Sequence, residues 1–146
     1  PRWIRAMLVG EEVAINGDGE TSRDFCYVEN AVQANLLAAI TDDPAAVNQV
    51  YNVAVDDRTS LNSLFQLLRD AIAVHVPAAA AVTPVRRDFR PGDVRHSQAD
   101  IGKARRLLGY APTHRLVDGI CAALPWYIAR HGIAPECGGR LVAGAT

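Results

Sequence analysis

Leu61, Leu64, Leu67, Leu68, Ala71 and Ile72 recur three and four residues apart, so a helix over this stretch carries one continuous apolar face. Thr59 or Ser60 stands where a side-chain oxygen caps such a helix. A helix of this kind must bury its face. A chain of 146 residues that is 49% hydrophobic and 21% charged has the apolar side chains to cover it. The sequence therefore predicts a folded domain rather than a disordered chain.

Further helices are predicted at Arg2 to Val9, closed by Gly10, at Glu29 to Ile40, and over Leu116 to His131 with Pro125 inside. A short helix containing Ile101, Ala104, Leu107 and Leu108 is capped by Asp100 and ends at Gly109. Val32, Leu36, Ala39 and Ile40 give the second of these a wide apolar face that should be buried. Between the helices lie β-type runs. Val13-Ala14-Ile15 and Phe25 to Val28 flank the turn Asn16-Gly17-Asp18-Gly19, Val47 to Val55 reads as an internal strand covered on both faces, and Val82 to Val85 as a short one. Pro77, four alanines and Pro84 form a connector between elements. The expected class is α/β, leaning to α+β: a small mixed sheet with several helices over residues 1–132, then a flexible tail, 133–146.

Fifteen Lys and Arg against sixteen Asp and Glu give a formal charge of −1, so there is no broad basic field for nucleic acid or anionic membrane. Arg86, Arg87, Arg90 and Arg95 cluster, but Asp88 and Asp93 interrupt them and no stacking aromatics accompany them. No apolar run approaches a membrane span, and the first residues do not read as a signal peptide, so a cytoplasmic protein is expected. Cys26, Cys121 and Cys137 form no CxxC pair, and His75, His96, His114 and His131 have no metal-ligand spacing; neither a disulfide framework nor a metal site is predicted. GxGxxG, P-loop and GxSxG motifs are absent from this sequence.

Two loop segments place an arginine beside an acid: Arg23-Asp24 and Arg90-Pro91-Gly92-Asp93. A guanidinium fork matches phosphate oxygens and a carboxylate accepts from sugar hydroxyls, so the set suits a nucleoside diphosphate. By themselves these are weak signals, and the same residues read more readily as surface ion pairs.

Taken in order, VAINGDGETSRDFCYVENAVQANLLAA, VNQVYNVAVDDRTSLNSL and RRDFRPGDVRHSQADIGKARRLLGYAPTHRLVDGICAALPWY resemble the C-terminal half of extended short-chain dehydrogenase/reductases. The resemblance is strongest to UDP-N-acetylglucosamine 4-epimerases of the NAD-dependent epimerase/dehydratase family and covers residues 1–130. It implies the substrate domain and last sheet strand of that architecture. By the same likeness Arg23 and Arg90 grip the UDP pyrophosphate, Asp93 bonds the ribose, Val13, Ala14 and Ile15 line the uracil, and Ser97 at the sugar pocket leaves room for an N-acetyl group. Asp56 stands where relatives often have glycine.

In that family the glycine-rich NAD loop and the catalytic Ser, Tyr and Lys precede the segment resembled here, and no Tyr-x-x-x-Lys occurs in this sequence. Tyr27, Tyr51, Tyr110, Tyr127 and the single lysine, Lys103, offer no substitute. The resemblance thus implies a truncated UDP-sugar-binding half, related to nucleotide-sugar and polysaccharide biosynthesis, with no catalytic residues and no cofactor in this chain. The alternative is a non-catalytic assembly module, self-associating or docking to a separate NAD-binding chain through exposed apolar faces.

Overall fold

The computed structural model describes residues 1–132; the tail predicted for 133–146 lies outside the described residues. Helix α1 (Arg2–Val9) buries Ile4, Met7 and Leu8, and Gly10 ends it at φ 73°, its N–H bonded to the Ala6 carbonyl. Strand β1 (Ala14–Asn16) pairs in parallel with β4 (Val85–Arg87), Ala14 opposite Val85. Helix α3 (Leu61–Ala73) starts at Ser60, whose Oγ accepts from the Ser63 N–H at 3.1 Å. Its Phe65, Leu68 and Ile72 meet Met7 and Leu8, Val13 and Ile15, and Leu124 and Ile128 of α5 (Leu116–Arg130) in the larger core.

A second, smaller core joins Ala34 of α2 (Val28–Ile40) to Ala54, Ile101, Ala104 and Tyr110 around α4 (Gly102–Leu108). The N-cap of α4 is Ile101 rather than the predicted Asp100, which stands one residue earlier and accepts at Oδ1 from the Gly102 N–H at 2.7 Å; Gly109 closes the helix at φ 66°. Tyr110 is 1% exposed and its hydroxyl donates to the Ala54 carbonyl at 2.8 Å. Burial, with the neighbouring Cys26, pushes its pKa up to about 12, so the group stays a neutral donor. Cys26 and Cys121 are free thiols.

Among the described residues the fold is mixed α/β with five α-helices, and the expected class stands. The strands, however, form two separate two-stranded ladders among the described residues rather than one sheet. The second predicted strand is displaced. It is β2 (Ser22–Arg23), antiparallel to β3 (Thr59–Ser60), while Phe25 to Tyr27 is irregular and Val28 already opens α2. The late strand is β4 at Val85–Arg87, and the alanine connector winds into a 3-10 helix, Pro77–Ala81.

Two larger corrections share one cause. Val47 to Val55 is not a strand: among the described residues no strand pairs with it, and Val50 is 86% exposed. Side chains hold it instead, with Lys103 Nζ donating to the Val50 carbonyl and Arg115 Nη1 to that of Val55, both at 3.1 Å. Nor is the apolar face of α2 buried. Val28, Val32, Leu36 and Ile40 are 63%, 48%, 60% and 72% exposed, one stripe at four-residue spacing. β-type composition and an apolar stripe both report a demand for cover, and neither shows which surface supplies it.

After this segment Asp56 takes φ 59°, the left-handed region in which glycine is unstrained. Its carboxylate accepts from Arg105 Nη1 at 3.0 Å and Gln98 Nε2 at 3.2 Å, contacts a glycine could not make.

Candidate functional site

The turn Asn16 to Gly19 organises the site from one side. Gly17 and Gly19 sit at φ 70° and 79°, and a Cβ on Gly19 would stand 2.0 Å from Asn62 Oδ1, so this approach requires glycine. Asn62 Nδ2 donates to the Asp18 carbonyl at 3.0 Å, tying the turn to α3. Arg95 Nη2 donates to Asp18 Oδ2 at 2.6 Å, and that guanidinium holds the Asp18 carboxyl below the ordinary carboxylate range.

From the other side, Arg90-Pro91-Gly92-Asp93 closes a tight turn. Gly92 has φ 77° and the Asp93 N–H reaches the Arg90 carbonyl at 3.2 Å, the pattern a Pro-Gly pair favours. Arg90 and Asp93 are therefore first and last residues of one turn. The following residues run along β2: the Ser22 N–H donates to the Arg95 carbonyl at 2.9 Å, the Ser97 N–H to that of Ser22 at 3.1 Å, and Ser22 Oγ pairs with His96 Nδ1 at 2.9 Å. That register brings Asp93 to Arg23, with which it forms an ion pair. Arg23 Nη1 also donates to the Ser22 carbonyl at 2.8 Å.

Arg23, Arg90 and Asp93 thus line one cleft of about 330 Å³, with Trp3, Ala14, Asn16, Thr21 and Leu61 as its other walls. Asp93, 70 positions along the chain from Arg23, is brought to it there by the β2 register. Of the clustered arginines, Arg86 is bound to Asn62, Arg87 to Glu12 and Arg95 to Asp18, whereas Arg90 has no side-chain acceptor among the described residues. An unengaged guanidinium at the rim and a second one inside, balanced by one carboxylate, can take a diphosphate by charge-assisted bonds while the carboxylate accepts from hydroxyls.

The other sequence-predicted residues divide. Strand alternation turns Val13 and Ile15 into the core, at 1% and 0% exposure, and leaves Ala14 on the cleft wall. Ser97 is exposed and not among the cleft's lining residues. Asp24, singled out beside Arg23, faces away. Its carboxylate accepts from the backbone N–H groups of Val55, Asp56 and Ala99 at 3.0, 3.1 and 3.3 Å. Trp3 and Asn16 are wall residues that sequence reasoning left out. Their signal was available in part, since Asn16 continues the alternation Ala14 begins; Trp3, whose Nε1 donates to the Ala14 carbonyl at 3.2 Å, counted only as a core-facing helix residue.

Residues 1–54 match the family model described as NAD dependent epimerase/dehydratase family. Over 129 residues the chain is 32% identical to UDP-glucose 4-epimerase of Mycolicibacterium smegmatis, covering 86% of this chain and 37% of that protein. Among solved structures, UDP-glucose 4-epimerase of Thermotoga maritima with UDP-glucose superposes with a TM-score of 0.77 at 36% identity, covering 88% of this chain and 38% of that one. UDP-N-acetylglucosamine 4-epimerase of Methanobrevibacter ruminantium, in complex with UDP-N-acetylmuramic acid, gives 0.75 at 34%, covering 89% and 39%. The shared fold is that of the extended short-chain dehydrogenase/reductase epimerases. The chain belongs to the NAD dependent epimerase/dehydratase family and spans less than two-fifths of the length of these relatives.

Proposed function

We propose that residues 1–132 are the nucleotide-sugar-binding part of such an enzyme, holding the diphosphate of a UDP-sugar in the Arg23, Arg90 and Asp93 cleft. The observation that carries the reading is the convergence of these three side chains on one cleft, with Arg90 unengaged. In this reading Arg23 and Arg90 grip the pyrophosphate and Asp93 turns from Arg23 toward the ribose. Ala14 and the β1 backbone border the uracil. For the sugar we propose N-acetylglucosamine, the small Ser97 leaving space should a bound ligand reach it.

NAD serves the family as hydride carrier, but the sequence printed here has neither a glycine-rich dinucleotide loop nor a Tyr-x-x-x-Lys pair. These residues do not fit a dinucleotide site, and no hydride step is assigned to them. Their work is to bind and orient; the chain alone is expected to leave UDP-sugars unconverted.

A thermal and calorimetric titration with UDP tests the binding reading. UDP at a hundredfold excess over its dissociation constant stabilises a one-site binder by about 2.7 kcal/mol, which appears as a raised Tm. Arg90→Ala, which breaks no side-chain bond among the described residues, is expected to weaken UDP at least tenfold and keep the ligand-free Tm. If millimolar UDP produces neither heat nor a Tm shift in the wild-type chain, the reading is wrong.

A second reading rests on the exposed stripe Val28, Val32, Leu36 and Ile40, joined by Val50. Such a face fits an assembly surface, met either by a second copy or by an NAD-binding domain. Sedimentation of the wild-type chain is expected to give a mass above 15.7 kDa that falls to the monomer in Leu36→Lys/Ile40→Lys. A monomeric wild type that does not bind a family NAD-binding domain supplied in trans rules it out.

A further inference from the structure

Side chains alternate between two faces along β2 and the residues that lead into it. Thr21 and Arg23 line the nucleotide cleft, whereas Glu20 and Ser22 line a separate one of about 430 Å³, and the two clefts have no lining residue in common. In this second cleft Ser22 Oγ lies 2.9 Å from His96 Nδ1, a hydroxyl and an imidazole 74 positions apart in the chain. Backbone bonds fix the pair from both sides, the Ser22 N–H donating to the Arg95 carbonyl and the Ser97 N–H to that of Ser22. Ser22 is 6% exposed, and what it shows to solvent lies in the cleft. The other serines there are spent on each other: the Ser60 and Ser63 hydroxyls lie 3.0 Å apart, and Ser60 Oγ caps α3. Arg58 stands exposed at the rim, its guanidinium without a carboxylate partner among the described residues.

We propose that this cleft is a hydrolytic site in which Ser22 and His96 cleave short acyl esters of hydroxylated alcohols. A serine hydroxyl becomes a nucleophile when a base within hydrogen-bond reach takes its proton, and that is the relation Nδ1 bears to Oγ. Ser22 Oγ attacks the carbonyl carbon as His96 takes its proton, and Arg58 faces the negative charge that gathers on the carbonyl oxygen. Collapse breaks the ester bond; the alcohol leaves with the proton from His96, and the acyl group stays on Ser22. His96 then takes a proton from water, the hydroxide displaces the acyl group as a carboxylic acid, and the proton returns to Ser22. The sum is ester plus water to acid plus alcohol. No apolar side chain lines the cleft, so a long acyl chain gains nothing there, while hydroxyls and the Glu20 carboxylate suit a hydroxylated alcohol. Neither UDP nor NAD enters this chemistry, so the site stands or falls apart from the function proposed above.

The test uses the whole 146-residue chain with p-nitrophenyl acetate and glyceryl monoacetate as substrates and a fluorophosphonate as a covalent serine probe. Both esters are expected to turn over above the buffer rate, and peptide mapping of the wild-type chain to place the probe on Ser22. Ser22→Ala is expected to abolish hydrolysis and labelling together. His96→Asn keeps an oxygen that can accept from Ser22 Oγ but removes the base; it is expected to lower the rate about a hundredfold, the lower end for a general base, at an unchanged Tm. UDP is expected to leave the rate unchanged, since the clefts share no lining residue.

The proposal is overturned if neither ester turns over above buffer, or if Ser22→Ala keeps the wild-type rate, which would assign the turnover to other imidazoles of the chain. It is equally overturned if His96→Asn hydrolyses as fast as wild type, or if UDP suppresses the rate and so places the reaction in the Arg23 cleft. Labelling is read on the wild-type chain, so it decides even where a variant loses its fold: a probe on Ser22 sustains the proposal, and a probe elsewhere or nowhere sinks it. Ester hydrolysis retained in a chain that binds no UDP would end the UDP-sugar reading and leave this one standing.

Discussion

Replacing Asn30 with alanine is expected to lower the unfolding free energy by about 3 kcal/mol, near the upper end for one substitution. Asn30 is 0% exposed, in the first turn of α2. Its Nδ2 donates to the His114 carbonyl at 2.7 Å, and its Oδ1 accepts from the N–H groups of Thr113 and His114 at 2.9 and 3.1 Å. One amide thus satisfies three backbone groups in the segment entering α5, where the Asp118 carboxylate meets the Arg115 N–H at 2.9 Å. Alanine leaves all three groups without these partners in a part-buried site, and each orphaned group costs about 1–3 kcal/mol before relaxation or rehydration. Urea unfolding checks this: the midpoint falls and the slope stays the same. Asn35→Ala, five residues along the same helix, removes only an exposed bond to the Ala31 carbonyl and is expected to change stability by less than about 0.5 kcal/mol. Equal effects from the two would refute the buried-clamp account.

That contrast also marks what could be read in the chain. Helices α1, α3 and α4 were legible because periodicity, caps and closing glycines are local: Ser60 stands beside the helix it caps, Asp100 within one residue of the α4 cap, and Gly10 and Gly109 beside what they end. The Arg90 to Asp93 turn was legible for the same reason, and it delivers two of the three cleft side chains. The structural weight of Asn30 was not, because its partners lie 83 and 84 residues away and a lone Asn in a helix pattern carries no mark of them. Val47 to Val55 misled for a related reason. Its composition fits a covered strand, yet a strand exists only with a neighbour, and here Lys103, Tyr110 and Arg115 satisfy its carbonyls from far along the chain. Strand β2 is two residues long and owes its position to β3 and to the loop at His96, not to its own β propensity.

Asp24→Ala is the second large effect, expected at about 2–3 kcal/mol because three backbone N–H groups lose a charged acceptor at once. Those groups belong to Val55, Asp56 and Ala99, so the carboxylate fastens two loops to the residue following β2. Arg23, the neighbouring residue, is positioned by β2 and by the loop that carries Asp93 and Arg95. Loosening the Ala99 end of that loop should therefore weaken UDP severalfold although Asp24 does not line the cleft. Asp24→Asn keeps one acceptor oxygen and is expected to lose roughly half as much stability. Measuring urea midpoints and UDP affinity on the same two variants separates support from contact. A supporting residue makes affinity track stability across Ala and Asn, because both report how well the loops are fastened. If Asp24→Ala abolished UDP binding while leaving the midpoint unmoved, Asp24 would be a ligand contact, and the diphosphate would have to lie on the opposite side of β2 from the Arg23 and Asp93 cleft.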